Sequence, residues 1–89
     1  MVTFTDTEIQ IASEITALAT PGRWSSLTEI RQHLTRWTRP EVDTTLRLME
    51  RLEDVCIAPE SNQKTLTLAD REAAVEIGGQ AKHLIWIAG

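Results

Sequence analysis

The chain has 89 residues, of which 42% are hydrophobic and 25% are charged, and its formal net charge is −4. A chain of this length supports one domain with a small core, and its composition is that of a folded globular protein rather than a disordered one. The sequence pI near 5.0 argues against a general nucleic-acid packaging protein, which needs a strongly basic surface.

The sequence lacks the features of membrane, secreted, metal-binding and catalytic proteins. No apolar run approaches the length of a membrane span, and the N-terminus does not resemble a signal peptide. The single Cys56, with only His33 and His83 as further ligands, supplies neither an internal disulfide nor a zinc site. No nucleophile motif, acid–base pair or glycine-rich phosphate loop is present. We therefore expect a cytoplasmic protein without membrane partner, metal or cofactor, and not an enzyme.

The first helix is predicted by a capping box, Thr5 to Glu8, in which two side chains satisfy backbone N–H groups of the first turn. Apolar residues follow at helical spacing, and the segment from Thr20 to Gly22 ends the pattern. These apolar residues are Ile11, Ile15 and Leu18.

Two further capping boxes predict a second and a third helix. The second box runs from Ser26 to Glu29 and the third from Thr38 to Glu41, with Pro40 in the first turn, where its missing N–H does no harm. The apolar faces that follow are Leu27, Ile30, Leu34 and Trp37 in the second helix, and Val42, Leu46, Met49 and Leu52 in the third.

Beyond Asp54 the pattern changes to one of strands. The apolar run 55–58, the turn cluster 59–63 and the alternating run 64–68 predict a β-hairpin. Trp24, just before the second helix, is expected to form a strand of one or two residues against this hairpin.

The C-terminal part is predicted to hold a short helix and a strand. Asp70 is expected to cap a helix that continues through Val75 and ends at Gly78 and Gly79. The apolar run 83–87 predicts a final strand, or alternatively a tail that docks on a partner.

Basic residues are concentrated in the middle of the chain. Six of the nine are arginines between Arg23 and Arg51, whereas the first 19 residues contain none. The formal charge is −3 for residues 1–19, +2 for residues 20–52 and −3 for residues 53–89. The predicted second and third helices therefore carry a local positive field.

The order helix, short strand, helix, turn, helix, hairpin resembles the winged helix-turn-helix domains of bacterial transcription regulators. The residues that carry the resemblance are 27–34, the turn through Trp37, residues 39–52, and residues 67–70 after the hairpin. The resemblance implies an α+β, mainly α fold: three helices, a β-hairpin wing, and a short C-terminal helix and strand. Residues 1–89 are then a single domain, with a core at 5–70 and an extension at 71–89.

The resemblance also implies a small regulator that reads double-stranded DNA with the helix starting near Arg39, as a homodimer or beside another protein. Arg39 and Arg47 would contact guanine, Thr44 a phosphate or a thymine methyl, and Lys64 the neighbouring groove from the wing. Alternatively, Asp43 and Arg47 form an ordinary surface pair. The predicted DNA-contacting residues are Ser26, Arg31, Arg36, Arg39, Thr44, Arg47, Arg51 and Lys64.

A second reading is a winged-helix module that binds protein instead of DNA. The acidic net charge, the acidic ends of the chain and the single base of the predicted wing favour it. In this reading Leu84 lies in an apolar strand that adds to a partner's sheet, or Trp86 fills a partner's pocket.

Overall fold

The first and third predicted helices begin at their capping boxes. In this computed structural model, which describes residues 2–89, helix α1 spans Asp6–Leu18 and helix α3 spans Arg39–Met49. At α1, the Glu8 N–H donates to Thr5 Oγ1 at 3.2 Å, and the Thr5 N–H donates to Glu8 Oε1 at 2.8 Å. Thr38 and Glu41 form the same reciprocal pair at α3. Both predictions are confirmed.

Helix α2 spans only Leu27–Gln32, so it is shorter than its apolar pattern indicated. Ser26 is its N-cap and accepts a hydrogen bond from the Thr28 N–H at 3.1 Å, whereas a return bond from Glu29 is not found within residues 2–89. Leu34 is buried in the turn that follows the helix rather than in the helix itself.

The predicted hairpin of residues 55–68 is wrong in its second half. Residues Gln63–Thr65 form a 3-10 turn, and Thr67 caps helix α4, Leu68–Ala73. Asp70 is therefore not the N-cap but the third residue of the helix, and it completes a capping box with Thr67, whose backbone N–H donates to Asp70 Oδ2 at 3.0 Å. These residues form a helix rather than the strand predicted by their period-two pattern, because the Thr-x-x-Asp capping box satisfies backbone N–H groups of the first helical turn.

The segment after α4 forms a hairpin that the sequence did not predict. Strand β3, Val75–Ile77, pairs antiparallel with strand β4, Gln80–Lys82. Gly78 and Gly79, predicted to end a helix, join the two strands with φ values of +62° and +77°. Positive φ at both central residues is the requirement of a two-residue hairpin turn, which glycine meets without steric cost.

A three-stranded antiparallel sheet closes the fold. Strand β1, Trp24–Ser26, and strand β2, Val55–Ala58, lie on either side of strand β5, Leu84–Ile87, in the order β1-β5-β2. The predicted final strand is thus confirmed, and Trp24 belongs to a strand that pairs with β5 rather than with a hairpin of residues 55–68.

The core lies between α1, α2, α3 and the inner face of this sheet, which makes the fold α+β. Residues 71–89, expected as an extension outside the core, contribute Val75, Ile85 and Ile87 to it. The buried cluster consists of Ile11, Ile15, Ala19, Leu27, Ile30, Leu34, Val42, Leu46, Met49, Val55, Ile57, Val75, Ile85 and Ile87.

Replacing Ile85 by alanine should destabilise the whole domain. Ile85 is 0% exposed in the central strand, and truncating such a side chain costs about 2–5 kcal/mol because a cavity remains. Leu68→Ala is the matched control, since Leu68 is 72% exposed and its truncation should change stability by less than about 0.5 kcal/mol. Urea unfolding followed by circular dichroism gives both values, and equal midpoints for the two variants would contradict this packing.

Candidate functional site

The predicted DNA-reading face of α3 lies against residues of its own chain. Arg39, Asp43 and Arg47 follow one another at a spacing of four, so they share one face of the helix. Arg39 Nη2 donates to the Ala74 carbonyl at 2.8 Å, and Arg47 Nε donates to the Glu76 carbonyl at 2.8 Å. Both side chains predicted to contact guanine thus hold the end of α4 and strand β3.

Arg31 of α2 also donates to the end of α4: its Nε bonds to the Ala73 carbonyl at 2.6 Å. Its Nη2 donates to Asp43 Oδ1, and the other carboxylate oxygen of Asp43, Oδ2, pairs with Arg39. The Arg31 side chain is only 13% exposed and its donors are engaged within the chain, which leaves little of it for the predicted contact with DNA. Burial lowers the pKa of the Arg31 guanidinium, while Asp43 opposes that shift through its hydrogen bond and its charge. An arginine remains charged under these conditions, and Asp43 balances it.

Two of the three acceptors, the carbonyls of Ala73 and Ala74, lie at the C-terminal end of α4, and the third, that of Glu76, lies in strand β3. The last carbonyls of any helix lack an intrahelical donor, and the negative end of the helix dipole favours cations there. Ala73 ends α4 and Ala74 is its C-cap. We call Arg31, Arg39 and Arg47, with the carbonyls of residues 73, 74 and 76, the arginine clasp.

A second polar contact joins the start of α4 to α2. Thr28 Oγ1 donates to Asp70 Oδ1 at 2.6 Å, while Asp70 also accepts from the Thr67 backbone. The hydrogen bond from Thr28, and next the one from the Thr67 N–H, lower the pKa of the Asp70 carboxyl because both favour its ionised form. Both ends of α4 are therefore tied to the helical layer.

Two more of the predicted DNA contacts have structural partners. Arg36 donates to Glu14 Oε2 at 3.3 Å, and its guanidinium lies 4.9 Å from the centre of the Trp37 ring. Trp37 Nε1 donates to the same Glu14 oxygen at 2.6 Å, which joins α1 to the turn after α2. Ser26 Oγ is occupied by the first turn of α2.

The remaining predicted contacts are dispersed. Thr44 is exposed on α3, Arg51 is exposed in the turn that follows α3, and Lys64 is exposed on the 3-10 turn rather than at the tip of a hairpin. The structure thus does not gather the eight predicted residues into one basic surface.

The outer face of the sheet presents aromatic side chains. The registers align Trp86 with Trp24 of β1 on one side and with Cys56 of β2 on the other. Trp24 is 51% exposed, Trp86 is half-buried and Cys56 is exposed. Successive strand residues point to opposite faces, so the burial of Ile85 and Ile87 directs Leu84 and Trp86 outward. We call Trp24, Cys56, Leu84 and Trp86 the aromatic sheet face.

The position of β5 corrects one part of the protein-binding reading. Leu84 and Trp86 were predicted to lie in a strand that adds to a partner's sheet. Because β5 is hydrogen-bonded on both edges, by β1 and by β2, it has no free edge for another strand. The side chain of Trp86 remains accessible from the outer face.

Sequence reasoning missed the arginine clasp because its acceptors are main-chain carbonyls. A carbonyl is the same at every residue, so Ala73 and Ala74 carry no recognisable signal. Spacing also cannot choose between the neighbours of Asp43, since Arg39 and Arg47 both lie four residues away. In the structure Asp43 pairs with Arg39 and Arg31, and not with Arg47.

Comparisons of the chain with protein-family models, curated proteins and solved structures find no match. Within residues 2–89, no helix has the length and apolar character that crossing a membrane requires. The function therefore has to be argued from the surfaces themselves.

The contact between Thr28 and Asp70 should make stability depend on acid pH. Because the folded state lowers the pKa of Asp70, this carboxylate stabilises the fold above its unfolded pKa of about 4, and the contribution is lost as pH falls through the lower, folded value. Asp70→Asn should thus be less stable than the wild type at pH 7, and the difference should shrink below about pH 4. Chemical unfolding at a series of pH values measures it.

Thr28→Val provides the companion test, because it removes the donor with the largest effect on Asp70. In the Thr28→Val background, the loss of unfolding free energy caused by Asp70→Asn should therefore depend less on pH than it does in the wild-type background. A difference between wild type and Asp70→Asn that is the same at pH 7 and pH 3 would refute the assigned role of this hydrogen bond.

Proposed function

We propose that this chain is a protein–protein interaction module of winged-helix type, which binds its partner through the aromatic sheet face. The winged-helix assignment is supported by the order α1-β1-α2-α3-β2 and by the antiparallel pairing of β2 with β5. Residues 59–83 then occupy the position of the wing, and they fold back over α2 and α3 through α4 and β3.

One observation carries the proposal: Trp24 and Trp86 are aligned on neighbouring strands of an accessible sheet face. Tryptophan supplies a large apolar area and an N–H donor, and it is enriched among the residues that dominate interface energies. A partner that lays an apolar segment across the two rings would bury them.

The electrostatics of the chain agree with a protein partner. Three of the predicted DNA-contacting arginines donate to carbonyls of the chain itself. Exposed acidic residues meanwhile bring the net charge to −4, which opposes the approach of a phosphate backbone.

Selection of binders from a displayed library of random 12-residue peptides tests the proposal. Affinities of the enriched peptides are then measured for the wild type, Trp24→Thr and Trp86→Thr. Loss of either indole should weaken binding by about tenfold or more, as expected for residues that dominate an interface. Leu68→Gln is the control, because Leu68 is an exposed apolar residue that lies on α4 and not in the sheet. Binders with the same affinity for all four proteins would rule out the aromatic sheet face.

Duplex DNA remains a second candidate because Thr44 is exposed on α3 and Arg51 is exposed just beyond its end, and the winged-helix resemblance implies DNA contacts by both residues. In a selection from random duplex DNA at about 0.15 M salt, a regulator would enrich a motif that Thr44→Ala and Arg51→Ala weaken; a palindromic motif would indicate a homodimer. Arg39→Ala and Arg47→Ala are less suitable, since they also break the arginine clasp. If the chain is a protein-binding module, no DNA motif should be enriched. An enriched motif would instead identify the chain as a DNA-binding protein.

A further inference from the structure

A second surface, which shares no residue with the aromatic sheet face, lies along helix α1. It is a groove of about 520 Å³ between α1, the end of α3 and the start of β2. The lining residues are Phe4, Ile9, Ala12, Ser13, Thr16, Ala17, Met49, Leu52, Asp54, Val55 and Ile87.

The groove exists because α1 changes the size of its side chains around its circumference. Ile11 and Ile15 fill the core completely, each with 0% exposure. The neighbouring face carries Ala12, Ser13, Thr16 and Ala17, which are too small to fill the space beside Leu52. Ile9, on the same face, is left 51% exposed at the groove.

The shape of the groove suits a helix. Helix α1 has 13 residues, and at a rise of about 1.5 Å per residue its length is about 20 Å. Small side chains allow a second helix to approach to the usual axial separation of about 8–10 Å. An amphipathic helix of three to four turns would place its apolar residues, spaced at i, i+3, i+4 and i+7, in such a groove.

The charges around the groove indicate which charges the polar face of a bound helix would carry. Asp54 is the one charged residue that lines the groove. Beyond the lining, exposed Glu53 precedes Asp54 in the chain, exposed Asp6 lies one turn before Ile9, and residues 1–22 contain three acids and no Lys or Arg, whereas Arg51 is the nearest base in sequence. A largely apolar groove with a carboxylate in its lining, along an acidic helix, is complementary to an apolar stripe flanked by Lys or Arg.

We infer that this groove binds a cationic amphipathic helix of a partner protein. The same charges disfavour a second copy of this chain, because a symmetric dimer through the groove would bring two acidic surfaces together. They equally disfavour nucleic acid, whose phosphates would meet carboxylates. The inference stands independently of the aromatic sheet face, since the two surfaces share no residue.

Three fluorescein-labelled 14-residue peptides test this inference by fluorescence anisotropy at about 0.15 M salt. The first has leucines at i, i+3, i+4 and i+7 with lysines on the opposite face; the second replaces the lysines by glutamates; the third has the lysine composition in a scrambled order. The first peptide should bind at least about tenfold more tightly than the other two, because only it combines the stripe with the complementary charge.

Ile9→Glu separates binding in the groove from general attraction to an acidic protein. Ile9 is half exposed on α1, so the substitution should leave the fold intact, which circular dichroism verifies. The variant is more acidic, so a purely electrostatic complex would strengthen, whereas binding in the groove should weaken by about tenfold or more. Leu68→Glu adds the same charge at an exposed position on α4 and should not weaken binding.

Three results would overturn the inference. These are equal affinity for the ordered and scrambled lysine peptides, tighter binding by Ile9→Glu, and a wild-type dimer in sedimentation that Ile9→Glu dissociates. The last result would assign the groove to a second copy of the chain. The random-peptide selection that tests the aromatic sheet face can fail without affecting this test, because neither Trp24 nor Trp86 lines the groove.

Discussion

The arginine clasp is the interaction on which the rest of the structure depends. Helix α4 has six residues and is too short to be stable alone, so its position comes from its contacts. Its last carbonyls need donors, and α2 and α3 supply them through Arg31 and Arg39. Val75, which follows directly, is 0% exposed in the core. The polar contact and the apolar anchor together hold residues 67–77 against the helical layer.

This arrangement changes the meaning of the arginine-rich segment. In an isolated pair of helices, Arg39 and Arg47 would project into solvent and form a positive field. Here each donates to a carbonyl of the same chain, and Asp43 neutralises part of the charge. Three of the clustered arginines thus attach residues 73–76 to the helical layer, although the Arg39 side chain remains 49% exposed and Arg47 is also exposed.

Both proposed binding surfaces arise because the side chains that fill the core leave apolar or small side chains on the opposite or adjacent face of the same element. In the sheet, alternation places Ile85 and Ile87 inside and therefore Trp86 outside. In α1, a core face of two isoleucines leaves a neighbouring face of small side chains that no other element covers. Apolar groups remain accessible in both places because residues 2–89 form only short helices and two small sheets, which do not cover every apolar face.

Local signals in the sequence determined the starts of α1, α2 and α3, the terminal strand, and most of the helical core, because capping residues and apolar spacing act within one or two turns. They failed at residues 63–82, where a Thr-x-x-Asp box and a pair of glycines admit more than one continuation. Only the tertiary structure decided which carbonyls the arginines meet, that β5 lies in the centre of the sheet, and that Ile9 is exposed. Each of these depends on residues far apart in the chain, and main-chain acceptors have no side-chain identity by which a sequence could reveal them.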